Sequence, residues 1–178
     1  MNRVILHIDV NNAFLSWTAT YMLKKGYKYD IRNRYAIIAG DESQRRGIVL
    51  AKSNLCKKCG VVTAEAIYSA RRKCPYLEIY KPNYELYKYF SDKMYNYLCQ
   101  YSDIIERYSI DECFLDYTGS MKLFGDPIEV AYKIKNDISK IISKCIPVNE
   151  ELEIVIDEEI TKEVNLWFYP ICYEVTIN

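Results

Sequence analysis

Ile105-Glu106-Arg107-Tyr108-Ser109-Ile110-Asp111-Glu112-Cys113-Phe114-Leu115-Asp116 is the stretch on which the fold turns. Asp103–Ser109 and Cys113–Tyr117 each alternate apolar and polar residues, as the two arms of a β-hairpin do, with Ile110-Asp111-Glu112 near the bend. On a straight strand neighbouring side chains point to opposite faces, but at a turn Asp111 and Glu112 can aim at one place. About a hundred residues earlier, Val4–Val10 reads as a buried strand, apolar nearly throughout, with Asp9 at its end. A carboxylate at the end of a buried run costs free energy unless it is paired or holds a cation. Three converging carboxylates can hold two divalent ions, and such sites perform in-line displacement at phosphorus. For either motif alone, acids at a strand end facing water is the simpler explanation; the flanking sequence tips the balance.

Working outward, Asn11–Lys25 has Ala13, Phe14, Trp17, Tyr21 and Met22 at helical spacing and stops at Gly26. Tyr35–Ala39 and Gly47–Ala51 read as short strands around a turn at Gly40-Asp41-Glu42. Ser53–Cys59 is a short basic helix closed by Gly60. Thr63–Lys73 is another, ending before Cys74-Pro75 because the residue before proline resists helix. Leu77–Tyr80 is a strand. Asn83–Ser102 is a long helix with Tyr and Leu on several faces. Asp126 and Pro127 start a last helix, whose apolar face carries Ile134, Ile138 and Ile141. Strand, insert, long helix, two strands and helix, completed by a later strand such as Leu152–Ile156, gives an α+β, ferredoxin-like βαββαβ layer of helices on a sheet. Glu163–Ile177 adds a further strand or two, broken at Pro170.

The chain has 178 residues, enough for one ordinary domain or one with a small inserted lobe. Its short apolar start ends at Asp9, so no signal peptide is expected. No run approaches the roughly 20 apolar residues of a membrane span. With seven cysteines, an odd number, and no secretory signal, the expectation is reduced thiols in a cytoplasm. Cys56-Lys57-Lys58-Cys59 has no second Cys pair to complete a zinc site, and the single His, at position 7, is far away in sequence. Two ordinary thiols is the preferred reading. Formal net charge is zero, yet residues 1–144 carry +7 and residues 145–178 carry −7. Positive charge is densest from Arg45 to Lys73, where eight Lys and Arg face Glu65 alone. A phosphate-facing surface and a solvated one both fit that run.

Four segments carry a family resemblance: His7-Ile8-Asp9-Val10-Asn11-Asn12-Ala13-Phe14, Gly47-Ile48-Val49-Leu50-Ala51-Lys52-Ser53-Asn54, Pro82-Asn83-Tyr84-Glu85-Leu86-Tyr87, and Tyr108 through Asp116. Over about residues 3–140 the chain resembles the Y-family translesion DNA polymerases of the DinB/UmuC group. The resemblance implies a palm formed by 1–17 and 83–144, with 18–82 as a small inserted fingers subdomain. It implies that Asp9, Asp111 and Glu112, with the backbone carbonyl of Val10, bind two Mg²⁺ ions. It further implies nucleotide-binding roles for Asn12, Ala13 and Phe14, the last at the family's steric-gate position, where an aromatic ring excludes a ribose 2′-hydroxyl. Read from its own surroundings, Phe14 would be ordinary core one helical turn from Trp17.

The sequence departs from the family pattern at two positions in the insert. Lys57 stands where a triphosphate-binding Arg is usual, and Asn54 where Tyr is common, so the bidentate fork and the phenol are both lost. Past about Lys140 the match fails, and the thumb and little-finger domains are expected to be absent. Residues 145–178 read as a divergent acidic tail that could complete the sheet. The implied substrates are primer–template DNA and deoxynucleoside triphosphates, with a sliding clamp or second subunit as the partner that would restore grip on DNA. Two functions follow: a truncated translesion polymerase acting in DNA repair, or a non-catalytic remnant or interaction module that keeps the fold.

Overall fold

A computed structural model describes residues 3–40, 47–148, 153–156 and 173–177. The chain divides into two compact units, one of residues 1–11 with 88–178, the other of residues 12–87. These divisions fall at 11/12 and 87/88, where the sequence reading put them at 17/18 and 82/83. The physical reason lies in α1 (Ala13–Lys24). Its Leu15 and Ala19 are buried with Ile31, Ala36, Ile38 and Ala51, all of the second unit.

The first unit is built on a four-stranded antiparallel sheet. Its strands are β1 (Ile5–Val10), β5 (Ile105–Arg107), β6 (Glu112–Asp116) and β9 (Tyr173–Ile177), in the order β5-β6-β1-β9. With α4 (Tyr84–Leu98) before β5 and α6 (Pro127–Lys144) after β6, the order is βαββαβ, the ferredoxin-like arrangement. Burial alternates along the strands: Leu6, Ile8, Val10, Cys113 and Leu115 are covered, whereas Ile5, His7, Asp9, Glu112, Phe114 and Asp116 are half-buried. One face of the sheet is therefore core and the other partly open. Phe90, Met94 and Leu98 of α4 and Ile134, Ile138 and Ile142 of α6 are buried at i, i+4, i+8 spacing. Arg107 ties β5 to α4 through Asp92 at 2.7 Å and through the ring of Tyr95, 3.9 Å away. Tyr97 donates to Asp137 at 2.8 Å and so ties α4 to α6.

Three expectations change here. The strand that completes this sheet is Tyr173–Ile177, whereas Glu153–Ile156 (β8) pairs with Cys145–Val148 (β7) in a separate two-stranded ribbon. The apolar stripe of α6 continues to Ile142, with Ile141 only half-buried, because from the buried Ile138 the step i+4 departs from the same direction by about 40° and the step i+3 by about 60°. The hairpin arms are shorter than the alternation suggested, because the Glu112 carbonyl accepts from both Tyr108 and Ser109 N–H (3.0 and 3.2 Å) and tightens the turn. Asp126 caps α6 as expected, its Oδ1 accepting from Ile128 and Glu129 N–H.

The second unit is a three-stranded sheet covered on both faces, ordered β3-β2-β4: β2 (Ala36–Ala39), β3 (Val49–Lys52) and β4 (Glu78–Tyr80). Double burial explains why β2 is wholly apolar. Ile37 and Ala39 pack with Val49, Cys56, Ile67, Ala70 and Cys74; Ile38 packs on the α1 side. The β2–β3 register skips Leu50, a bulge that turns Val49 toward the opposite core from Ala51. Ser53 caps the short α2 (Asn54–Lys58) by accepting from Cys56 N–H at 3.2 Å. The helix expected from Thr63 begins only at Ile67 (α3, Ile67–Lys73). Ala64 is left-handed (φ 67°), and its N–H donates to the Val49 carbonyl while Val49 N–H donates to that of Glu65. The backbone of 64–66 thus runs against β3 and cannot join a helix.

Asp41 and Glu42 of the expected turn, Arg45 and Arg46, and residues 163–172 of the tail lie outside the described residues. Cys56, Cys59 and Cys74 are free and share one apolar core. Burial pushes the Cys74 thiol up to about 12 and raises that of Cys56, which makes them poor nucleophiles. Among the described residues no helix is long and apolar enough to cross a membrane.

Candidate active site

In the first unit the two acidic motifs meet through the sheet. Asp9 is the cross-strand partner of Glu112, and Val10 N–H donates to the Asp111 carbonyl at 3.0 Å. Asp111 is the last residue of the tight turn and Glu112 the first of β6, so residues about a hundred apart in sequence share one end of one sheet. On its other side Asp9 pairs in register with Glu174, and Val10 with Tyr173.

The carboxylates have local partners. Ser109 Oγ donates to Asp111 Oδ1 at 2.7 Å. His7 Nε2 lies 2.6 Å from Glu112 Oε1, and the His7 ring stacks on Phe114 with centroids 4.4 Å apart and planes 8° apart. Tyr108 meets the same Phe114 ring edge-on at 5.8 Å. Among the described residues no three His, Cys, Asp or Glu side chains are gathered as a metal-binding set. The backbone converges while the side chains of Asp111 and Glu112 lean on Ser109 and His7. Their donor chemistry nonetheless suits a hard divalent cation, which takes a few carboxylates together with phosphate and water oxygens. Asp111 Oδ2 and Glu112 Oε2 are engaged by no hydrogen bond among the described residues.

In sequence His7 stands too far from the cysteines to ligate zinc with them, and nothing else there marks it out but period-2 spacing. His7 and Asp9 share a strand face, and so do Glu112 and Phe114 opposite them.

In the second unit Asn12 precedes α1 in a left-handed conformation (φ 55°, ψ 42°). Its side chain does not cap the helix; Nδ2 instead donates to the Lys52 carbonyl at 3.0 Å, which ties the start of α1 to the end of β3. No side chain caps the first turn, so the N–H groups around Ala13 and Phe14 stand at the positive end of a helix without a side-chain acceptor. Phe14 is half-buried and lies flat on Tyr87, with centroids 4.4 Å apart and planes 6° apart; Tyr84 meets it edge-on. Tyr87 is fully buried and hydrogen-bonds Thr18 at 2.9 Å, while Thr18 donates to the Phe14 carbonyl at 2.7 Å. Phe14 is thus a braced, half-buried ring, neither free nor fully core. Asn54 and Lys57 are exposed one turn apart on α2.

Residues 8–146 match the model of the impB/mucB/samB family. The chain is 44% identical over 156 residues to DNA polymerase IV of Clostridium acetobutylicum, covering 85% of this chain and 39% of that protein. With DNA polymerase IV 2 of Bacillus subtilis it shares 37% over 138 residues, 78% of this chain and 32% of the relative. Among solved structures, the post-insertion binary complex of Dbh DNA polymerase aligns with a TM-score of 0.65 at 26% identity, covering 77% of this chain and 38% of the other. DinB from Sulfolobus solfataricus aligns with a TM-score of 0.63 at 24% identity, covering 78% and 39% respectively. The chain therefore spans about two fifths or less of the length of these relatives.

Proposed function

The chain belongs to the impB/mucB/samB family, the DinB-like Y-family DNA polymerases, and from that membership we propose that it forms the palm and fingers of an enzyme that adds deoxynucleotides to a primer opposite damaged template. The observation that supports this most is the pairing of Asp9 with Glu112 beside the Val10–Asp111 hydrogen bond, which puts three acids at one end of a partly open sheet. The unit of 1–11 with 88–178 holds the palm. The unit of 12–87 is the fingers.

Asp9, Asp111 and Glu112, with the Val10 carbonyl, are the groups that would hold Mg²⁺; when bound, two such ions lower the pKa of the attacking hydroxyl and neutralise triphosphate charge. The remaining roles fall to the chain itself. The N–H groups at Asn12–Phe14 receive triphosphate oxygens at the positive end of α1. Lys57 adds a point charge to phosphate, and Asn54 a neutral hydrogen-bonding group. The Phe14 ring, held flat on Tyr87, meets the 2′ position of the sugar and rejects a ribose hydroxyl by contact.

Primer extension with Mg²⁺ and the four deoxynucleotides, comparing this chain with its Asp111→Ala variant, tests the reading. Extension by the parent and at least a hundredfold loss in the variant is expected. Equal signals from the two would overturn it in favour of a fold kept as an interaction module. In an active chain Phe14→Ala is expected to admit ribonucleotides; unchanged sugar selection would return Phe14 to the core.

A further inference from the structure

We propose that His7 is a positioning residue for Glu112: it holds one carboxylate oxygen so that the other is presented to a divalent cation. This rests on Glu112 being a metal ligand, as proposed above. His7 pairs with Phe114 and Asp9 with Glu112 on adjacent strands, so the imidazole reaches Glu112 along the diagonal of one sheet face. The contact is short, 2.6 Å from Nε2 to Oε1, and both side chains are about three-quarters shielded, at 26% and 21% exposure.

An ionised carboxylate only accepts, so Nε2 carries the proton and donates. The ring has little freedom to rotate. Phe114 lies parallel to it at 4.4 Å, and Tyr108 abuts the far partner edge-on. Glu112 would otherwise sample several rotamers at the mouth of the site. Held by a clamped donor it keeps one, and Oε2 is left for the ion. Groups that orient a ligand in this way typically change metal affinity by 10–100-fold when removed.

The test uses the full chain and Mn²⁺ alone, with free Mn²⁺ counted by its paramagnetic resonance signal. His7→Phe keeps the stack on Phe114 and removes the donor; about tenfold weaker Mn²⁺ binding is expected with an unchanged melting temperature. His7→Gln restores an N–H donor and is expected to recover binding to within about threefold. Glu112→Gln separates the two readings. If it binds Mn²⁺ as the parent does, Glu112 is no ligand and both proposals fall. If it weakens binding while His7→Phe does not, or if His7→Phe binds more tightly because the imidazole had competed for the carboxylate, this proposal alone falls. Long-range ¹H–¹⁵N spectra of the chain's single histidine give a readout without metal. A slowly exchanging, hydrogen-bonded Nε2–H proton signal is expected in the parent and should be lost in Glu112→Ala; an unchanged spectrum would overturn the contact.

Discussion

The hydroxyl pair behind Phe14 gives a prediction whose sign and size follow from donor direction. Thr18 Oγ1 already donates its proton to the Phe14 carbonyl at 2.7 Å, so across the 2.9 Å contact the Tyr87 hydroxyl must be the donor. Burial raises the Tyr87 phenol above its ordinary range, so it keeps that proton at any working pH. Tyr87→Phe removes the donor and leaves Thr18 with its other bond, a loss of about 1 kcal/mol. Thr18→Val does more harm, because it strands a fully buried hydroxyl without an acceptor, costing roughly 1–3 kcal/mol. Thr and Val have similar helix propensities, and the back-bond to Phe14 contributes little to helix stability, so neither obscures the difference. The double variant removes both partners and should cost less than the sum of the singles by about 1 kcal/mol. Urea unfolding followed by Trp17 fluorescence in a Trp167→Phe background reports on this unit, since Trp17 is fully buried with its ring 6.1 Å from Tyr87. If Thr18→Val costs no more than Tyr87→Phe, or if the two are additive, the donor assignment is wrong. If the chain is active, Tyr87→Phe should leave sugar selection intact, because the ring under Phe14 remains, whereas Tyr87→Leu should weaken it.

Two further expectations concern the palm unit. Ile138→Ala should cost about 2–5 kcal/mol by opening a cavity in the buried stripe of α6, and Ile141→Ala clearly less; equal shifts in thermal unfolding by circular dichroism would contradict the 134/138/142 stripe. The Asp116 carboxyl is held down to about 2, first by hydrogen bonds from Thr118 and then by Arg3 at 2.9 Å. A lowered folded-state value means that this stabilisation is complete above the ordinary value near 4 and is lost as pH falls toward 2. Asp116→Asn should therefore flatten the fall in urea stability between pH 4 and 2, by about 1 kcal/mol after allowance for screening at the exposed Arg3; an unchanged slope would exclude the pair as a source of acid sensitivity.

Local chemistry was legible from residues alone. Asp126 caps the helix that its side chain suggested, because an N-cap depends only on backbone two or three residues away. The same holds for the apolar run that marked β1 and the alternation that marked β6. What misled was local too: Thr63–Ala66 has helical spacing, but its backbone groups are taken by β3.

By itself the sequence determined the order of elements, the acidic strand ends and the family, since period, capping and motif spacing are properties of neighbours along the chain. Only the tertiary structure decided which later segment fills the sheet edge beside β1, because Leu152–Ile156 and Tyr173–Ile177 are both apolar enough to pair and only β1 in space selects between them. It decided that Cys74 joins Cys56 and Cys59 in one core, and that His7 reaches Glu112 rather than standing alone. Those contacts join residues 15 to 105 positions apart, and no periodicity within one strand or helix carries information over such a distance.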